Sequence, residues 1–160
     1  MANLTSQLEQ NKLTPMNATT ALNQLIEICK DGKNGFHDAG ENAKHADLKN
    51  LFTRYSLQRA KFAGDLDQLV TQLGAVPEKT GSVASIFHRG WIDLKSAITN
   101  GSDHAILAEC ERGEAYAVSA YHTALEAELP THIRAIITAQ SGEVQATHDD
   151  ICNRRAAAAA

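Results

Sequence analysis

Glu114, Gln145 and His148 have the clearest claim to chemistry in this chain of 160 residues. His148 lies in "GEVQATHDDI", where Val144, His148 and Ile151 recur at helical spacing, so an imidazole shares a face with apolar side chains. Gln145 stands one turn before it. A glutamate there would complete Glu-x-x-His, which sets two metal ligands on one face of a helix. Glu114 falls in line with Leu107, Cys110, Ala117, Tyr121 and Ala124, an otherwise apolar seam. A charged carboxylate in such a seam is unfavourable unless it finds donors, a proton or water. The donors expected within its reach are His148, Gln145, Gln58 and Tyr55; Glu114 and His148 are expected to form a buried polar pair, an ion pair if His148 is protonated.

The elements that must hold these groups are helices. Ala, Leu, Glu, Gln and Lys recur, and prolines number only 3. Residues 1–17 are polar and aperiodic and read as an arm. Asn17 or Thr19 caps a first helix with the seam Leu22, Leu25, Cys29, Gly32, Phe36, Ala39 and Ala43. After the short break "KHAD", with Asp47 as cap, a second helix carries Leu48, Phe52, Tyr55, Phe62, Leu66, Leu69 and Leu73. Gly74 and Pro77 stop it. A shorter helix is expected over 82–98, ended by Asn100-Gly101. Ser102 or Asp103 caps the next long helix, which holds Glu114. Pro130 precedes the last, with Ile133, Ile137, Val144, His148 and Ile151 in line. Residues 156–160 form an alanine tail. The expected fold is all-α: four long helices of about 25 residues and about 38 Å each, at 1.5 Å per residue, paired as two antiparallel hairpins. A short extra helix is expected in the long crossover, the whole forming a single bundle domain over residues 18–155.

Composition excludes several classes. The formal net charge is -4 with the signs mixed, which is not the basic face of a nucleic-acid binder. No apolar run reaches the roughly 20 residues of a membrane span, and the N-terminus lacks an apolar signal core. The three cysteines, Cys29, Cys110 and Cys152, are scattered without a Cys-x-x-Cys pair and read as buried thiols of a reducing compartment. A cytoplasmic protein is expected. In "ECERGE", Glu109 and Glu111 fall off the seam and read as solvated charge. His37, His45, His104, His122 and His132 show no ligand spacing to one another. In "FHRGW", Gly90 is expected to let the crossover lie close while Trp91 plugs the bundle. Gly32 and Gly35 read as points of close helix approach filled by Trp91 or Tyr121; no strand precedes them, so a phosphate loop is excluded.

The segments "GEAYAVSAY" and "EVQATH" resemble the third and fourth main helices of rubrerythrin-like and ferritin-like proteins. Over about residues 18–152, "LNQLIEICKDGKNGF", "QRAKFAGDL", "GSVASIFHRGWIDLKSAI", "HAILAECERGE" and "THDDI" resemble an uncharacterised bacterial family of ferritin-like four-helix bundles, a domain of unknown function. That resemblance implies a one-crossover bundle and a link to stress responses, with no established activity. The ferritin-like di-iron template asks for Glu, Glu-x-x-His, Glu and Glu-x-x-His on successive main helices. Here Glu114 and His148 match. Cys29 takes the first-helix place, Tyr55 and Gln58 take the second-helix places, and Gln145 replaces the last carboxylate; a shift of register exposes only Arg59 or Lys61.

Two irons carry roughly four to six positive charges and need carboxylates to neutralise and bridge them. One carboxylate and one imidazole do not meet that need. The expected protein is therefore a non-enzymatic bundle with a degenerate di-iron site, a structural or interaction module forming a homo-oligomer or binding a protein partner, with no membrane or nucleic acid. Two other readings stay open: an iron- or manganese-binding oxidoreductase or storage protein around Glu114 and His148, and a small-molecule carrier with a pocket between helices near Gly32 and Gly35.

Overall fold

The computed structural model describes residues 17–75 and 90–159. These form five helices, α1 (Ala18–Asn42), α2 (Ala46–Gln72), α3 (Leu94–Asn100), α4 (Asp103–Leu125) and α5 (Thr131–Ala159), and no strand is found among them. Most of the expected N-terminal arm, the first part of the crossover with His88 and Arg89, and the last alanine lie outside the described residues.

Local chemistry sets the helix ends. Asn17 caps α1, its side chain accepting from Thr20 N at 2.8 Å. Ser102 caps α4 by accepting from Ala105 N at 3.3 Å. Asp47, expected to cap α2, lies within its first turn instead, and His45 occupies the cap without a side-chain cap bond. That cap is completed from elsewhere: the Asp103 carboxylate accepts from Lys44 N at 2.7 Å, from His45 N at 3.0 Å and contacts the His45 ring. Gly101 ends α3 at a φ of 74°, a left-handed conformation that glycine adopts without strain.

Residues 90–93 are not helical, so the helix expected over 82–98 does not run unbroken. Among the described residues it starts only at Leu94, and Trp91 precedes it rather than lying on it. Gly90 has a φ of 83°. A β-carbon there would stand 3.0 Å from the Gly113 α-carbon, so the backbone touches α4 directly.

Ala43, Lys44 and His45 turn the chain so that α2 runs back along α1, and α5 runs back along α4; α1 also lies against α4, and α2 meets α5. Two apolar clusters fill the interior. One holds Leu22, Leu25, Phe62, Leu66, Tyr121, Ile133, Ile137 and Val144. The other holds Phe36, Phe52, Trp91, Leu94, Ile106, Leu107, Cys110 and Ile151. Along α1, α2 and α4, the residues between these clusters are Gly32, Arg59 and Glu114. The helical stripes account for the apolar layers, and this charged layer interrupts them.

Candidate functional site

Arg59 and Glu114 face each other across α2 and α4, with side chains each 1% exposed. Arg59 Nη1 donates to Glu114 Oε1 at 2.7 Å, and Nη2 donates to Oε2 at 2.6 Å. This is the bidentate fork, in which a planar guanidinium matches both carboxylate oxygens. Burial opposes both charges. It pushes the Glu114 carboxyl up from its ordinary value, against the pull of Arg59. Burial also works against the Arg59 cation, but the Glu114 charge outweighs it and holds the guanidinium protonated.

The sequence places Arg59 well for this. Phe52, Tyr55, Arg59, Phe62 and Leu66 follow steps of three and four, so Arg59 lies on the buried stripe of α2. Its guanidinium carbon stands 5.6 Å from the centroid of Phe36 and 6.0 Å from that of Phe62, within cation–π range. Gly32 leaves room for the stem, since a β-carbon there would meet Arg59 Cγ at 3.3 Å. The spacing of Arg59 was the available signal for this partner; reading it only as a cation where a ligand should be hides its role.

Glu114 is thus paired with Arg59, and the expected pairing with His148 is corrected. The remaining expected partners also have other bonds. Tyr55 donates to Asp150 Oδ2 at 2.6 Å, and burial followed by that hydrogen bond raises its phenol. Gln145 Nε2 donates to Asp149 Oδ1 at 2.9 Å. Gln58 Oε1 lies 3.4 Å from Arg59 Nε, beside the pair rather than on Glu114. Cys29 Sγ lies 3.1 Å from Tyr121 OH, which donates to Gln140 Oε1 at 2.8 Å. Burial pushes the Cys29 thiol up to about 11 and raises the Tyr121 phenol further. This chain of neutral donors ends at Gln140 Nε2, a buried amide nitrogen with no hydrogen-bond partner among the described residues.

A di-iron centre does not fit this donor set. Both oxygens of the central carboxylate are already taken by a fixed cation, and Cys29, Tyr55, Gln58 and Gln145 add no carboxylate.

His148 is half-buried, and its ring lies beside Cys152 and Asp149 rather than on Glu114. Its ring approaches Cys152 Sγ at 3.7 Å from Nε2 and 3.8 Å from Nδ1. The Cys152 thiol donates to Glu111 Oε1 at 3.1 Å, while Arg155 Nη1 donates to Glu111 Oε2. These contacts hold the Glu111 carboxyl below its ordinary value, Arg155 first and Cys152 second. Desolvation and then Glu111 push the Cys152 thiol up to about 11. Glu111, expected as free surface charge, is therefore a half-buried member of a cluster.

Glu109 is also corrected. It is 4% exposed and accepts from Asp93 N at 3.1 Å, because the crossover lies over that side of α4. Trp91 fills the same region. β-carbons at Gly35 and Gly113 would stand 2.5 Å and 2.4 Å from its ring, so both glycines are required where it enters.

Residues 17–127 match the family model described as "Domain of unknown function (DUF2383)". The chain belongs to this family. The match includes Arg59, Glu114 and Glu111, and it ends before α5, which carries Gln140, His148 and Cys152. No curated protein matches the chain. Among the described residues, no helix of this DUF2383 member is long and apolar enough to cross a membrane.

Proposed function

We propose that this chain is a ferritin-like four-helix bundle in which an internal guanidinium–carboxylate pair stands in place of the metal centre. It acts as a non-enzymatic structural or interaction module, in the stress-associated setting that the resemblance implies, through a homo-oligomer or a protein partner. One observation carries this reading: the bidentate Arg59–Glu114 pair, buried between two apolar layers. A fixed cation there neutralises the carboxylate and repels a second cation, which metal storage or oxygen chemistry would need in the same place.

The test is metal analysis of the full chain purified from cells supplied with iron and manganese, beside Glu114→Gln. The expected result is no iron or manganese that depends on Glu114. Stoichiometric iron or manganese in the wild type, lost in Glu114→Gln, would overturn the proposal and restore the oxidoreductase or storage reading.

The carrier reading finds the space at Gly32 and Gly35 filled by Arg59 and Trp91. It draws on a half-open groove of about 580 Å³ beside that indole ring, lined by Gly35, Asp38, Trp91, Leu94 and Ile98 among others. A small molecule retained by the purified chain in native mass spectrometry would favour it.

A further inference from the structure

The geometry points to a mononuclear zinc-type site formed by Glu111 of α4 with His148 and Cys152 of α5. His148 and Cys152 are four residues apart, so they project from one face of α5 towards Glu111. One ligand atom from each residue lies within 4.8 Å of the other two. Ligands bound at about 2.0–2.3 Å in a tetrahedron sit roughly 3.3–3.6 Å from one another. Here the carboxylate oxygen and the sulfur are 3.1 Å apart, and the sulfur and imidazole Nε2 are 3.7 Å apart. The carboxylate oxygen and the imidazole nitrogen lie within 4.8 Å of one another, so rotation of the side chains about their torsions would have to draw that third pair together to close the set.

The donor chemistry selects the ion. An oxygen, an imidazole nitrogen and a sulfur suit a borderline-soft divalent cation such as Zn²⁺ or Co²⁺, and reject Mg²⁺ and Ca²⁺, which require oxygen. A thiolate and a carboxylate balance the two positive charges. Groups around the cluster steady its members. Arg155 Nη1 donates to Glu111 Oε2 and leaves Oε1 facing the sulfur. Asp149 Oδ1 lies 3.6 Å from His148 Nδ1, which places a carboxylate beside that nitrogen and leaves Nε2 for the metal. All three ligands are half-buried, so an ion can enter from solvent. Three protein ligands leave a fourth position for water or an added ligand, as in zinc sites with an open position.

This site is separate from the reading of the bundle centre, where Arg59 takes both oxygens of Glu114. The earlier test reads iron and manganese through Glu114; this one reads cobalt and zinc through Cys152. The metal-free full chain is titrated with Co²⁺ and then with Zn²⁺. The expected result is one cobalt per chain, a thiolate-to-cobalt charge-transfer band, and displacement by zinc. Cys152→Ser and Cys152→Ala should abolish the band, and Glu111→Gln and His148→Gln should each weaken zinc binding at least about tenfold. Cys110→Ala, which removes a thiol from the apolar core, should keep the band. Circular dichroism checks that each variant remains helical. Absence of the band in the wild type overturns the proposal, as does a band that persists in a folded Cys152 variant, or zinc affinity equal in all folded variants.

Discussion

Removing either Arg59 or Glu114 strands the other in a dry interior, whereas removing both strands nothing. Breaking a buried pair at one end destabilises by about 3–5 kcal/mol, and replacing both ends with apolar groups of similar volume is often neutral or stabilising. Arg59→Met and Glu114→Leu should therefore each lower the urea midpoint sharply. The double variant should recover most of the loss, a large departure from additivity for residues in direct contact. Additive, small losses would mean that the fork does not form in solution. The pair also sets helix register. Moving α2 along the bundle by one turn relative to α4, about 5.4 Å, would separate the guanidinium from its bidentate partner.

At the scale of elements, Trp91 pins the start of the crossover helix to α1 and α4. Its ring meets Phe36 edge-on with centroids 5.1 Å apart, and Gly35 and Gly113 lie against its faces. A methyl group at Gly113 would reach 2.4 Å from the ring, so Gly113→Ala should force Trp91 outward. Overpacking of this kind destabilises by about 1–3 kcal/mol. Trp91 is the one tryptophan of the chain, so its fluorescence should shift to longer wavelength as the ring meets water. Gly64→Ala provides the contrast. It lies inside α2 with nothing within 4 Å of the added carbon, and should stabilise by about 0.5–1 kcal/mol with unchanged emission. Equal effects at the two positions would deny Trp91 its wedge role.

The whole molecule is tied across its hairpins by Asp103, which sits in the first turn of α4 yet caps the start of α2. Burial alone would raise its carboxyl, but the Lys44 N–H, the His45 ring and the His45 N–H outweigh burial and hold it below the ordinary value of 3.8. A carboxyl depressed by folding stabilises fully above its unfolded value, and that contribution is lost as pH falls through the folded value. Stability should therefore drop on acidification below about pH 4, with Asp103 and the similarly depressed Glu111 both contributing. Asp103→Asn should lower the urea midpoint at pH 7 and flatten the decline below pH 4. A decline as steep as in the wild type would show that Asp103 is not its source.

The sequence by itself determined what depends on neighbours along the chain. Its three- and four-residue spacing marked the seams of α1 and α4, because a helix turns by a fixed amount per residue and buries one face. Asn17, Ser102 and Gly101 marked ends that their own side chain or φ enforces. The place of Glu114 in an apolar seam was also legible, since the residues around it step by three and four along α4. The tertiary structure decided which charges meet. Arg59 and Glu114 are separated by 55 positions on helices that do not pack directly on one another, and only the assembly of the whole bundle gives each its counter-charge. Glu109 became buried because the backbone at Asp93 lies over a second face of α4 that its own seam did not mark. Glu111, His148 and Cys152 came together because α4 and α5 align in one register; Glu111 and Cys152 are 41 positions apart, and nothing local along the chain signals it. Periodicity reports that a face is buried, whereas the identity of the group facing it is a property of two helices packed together.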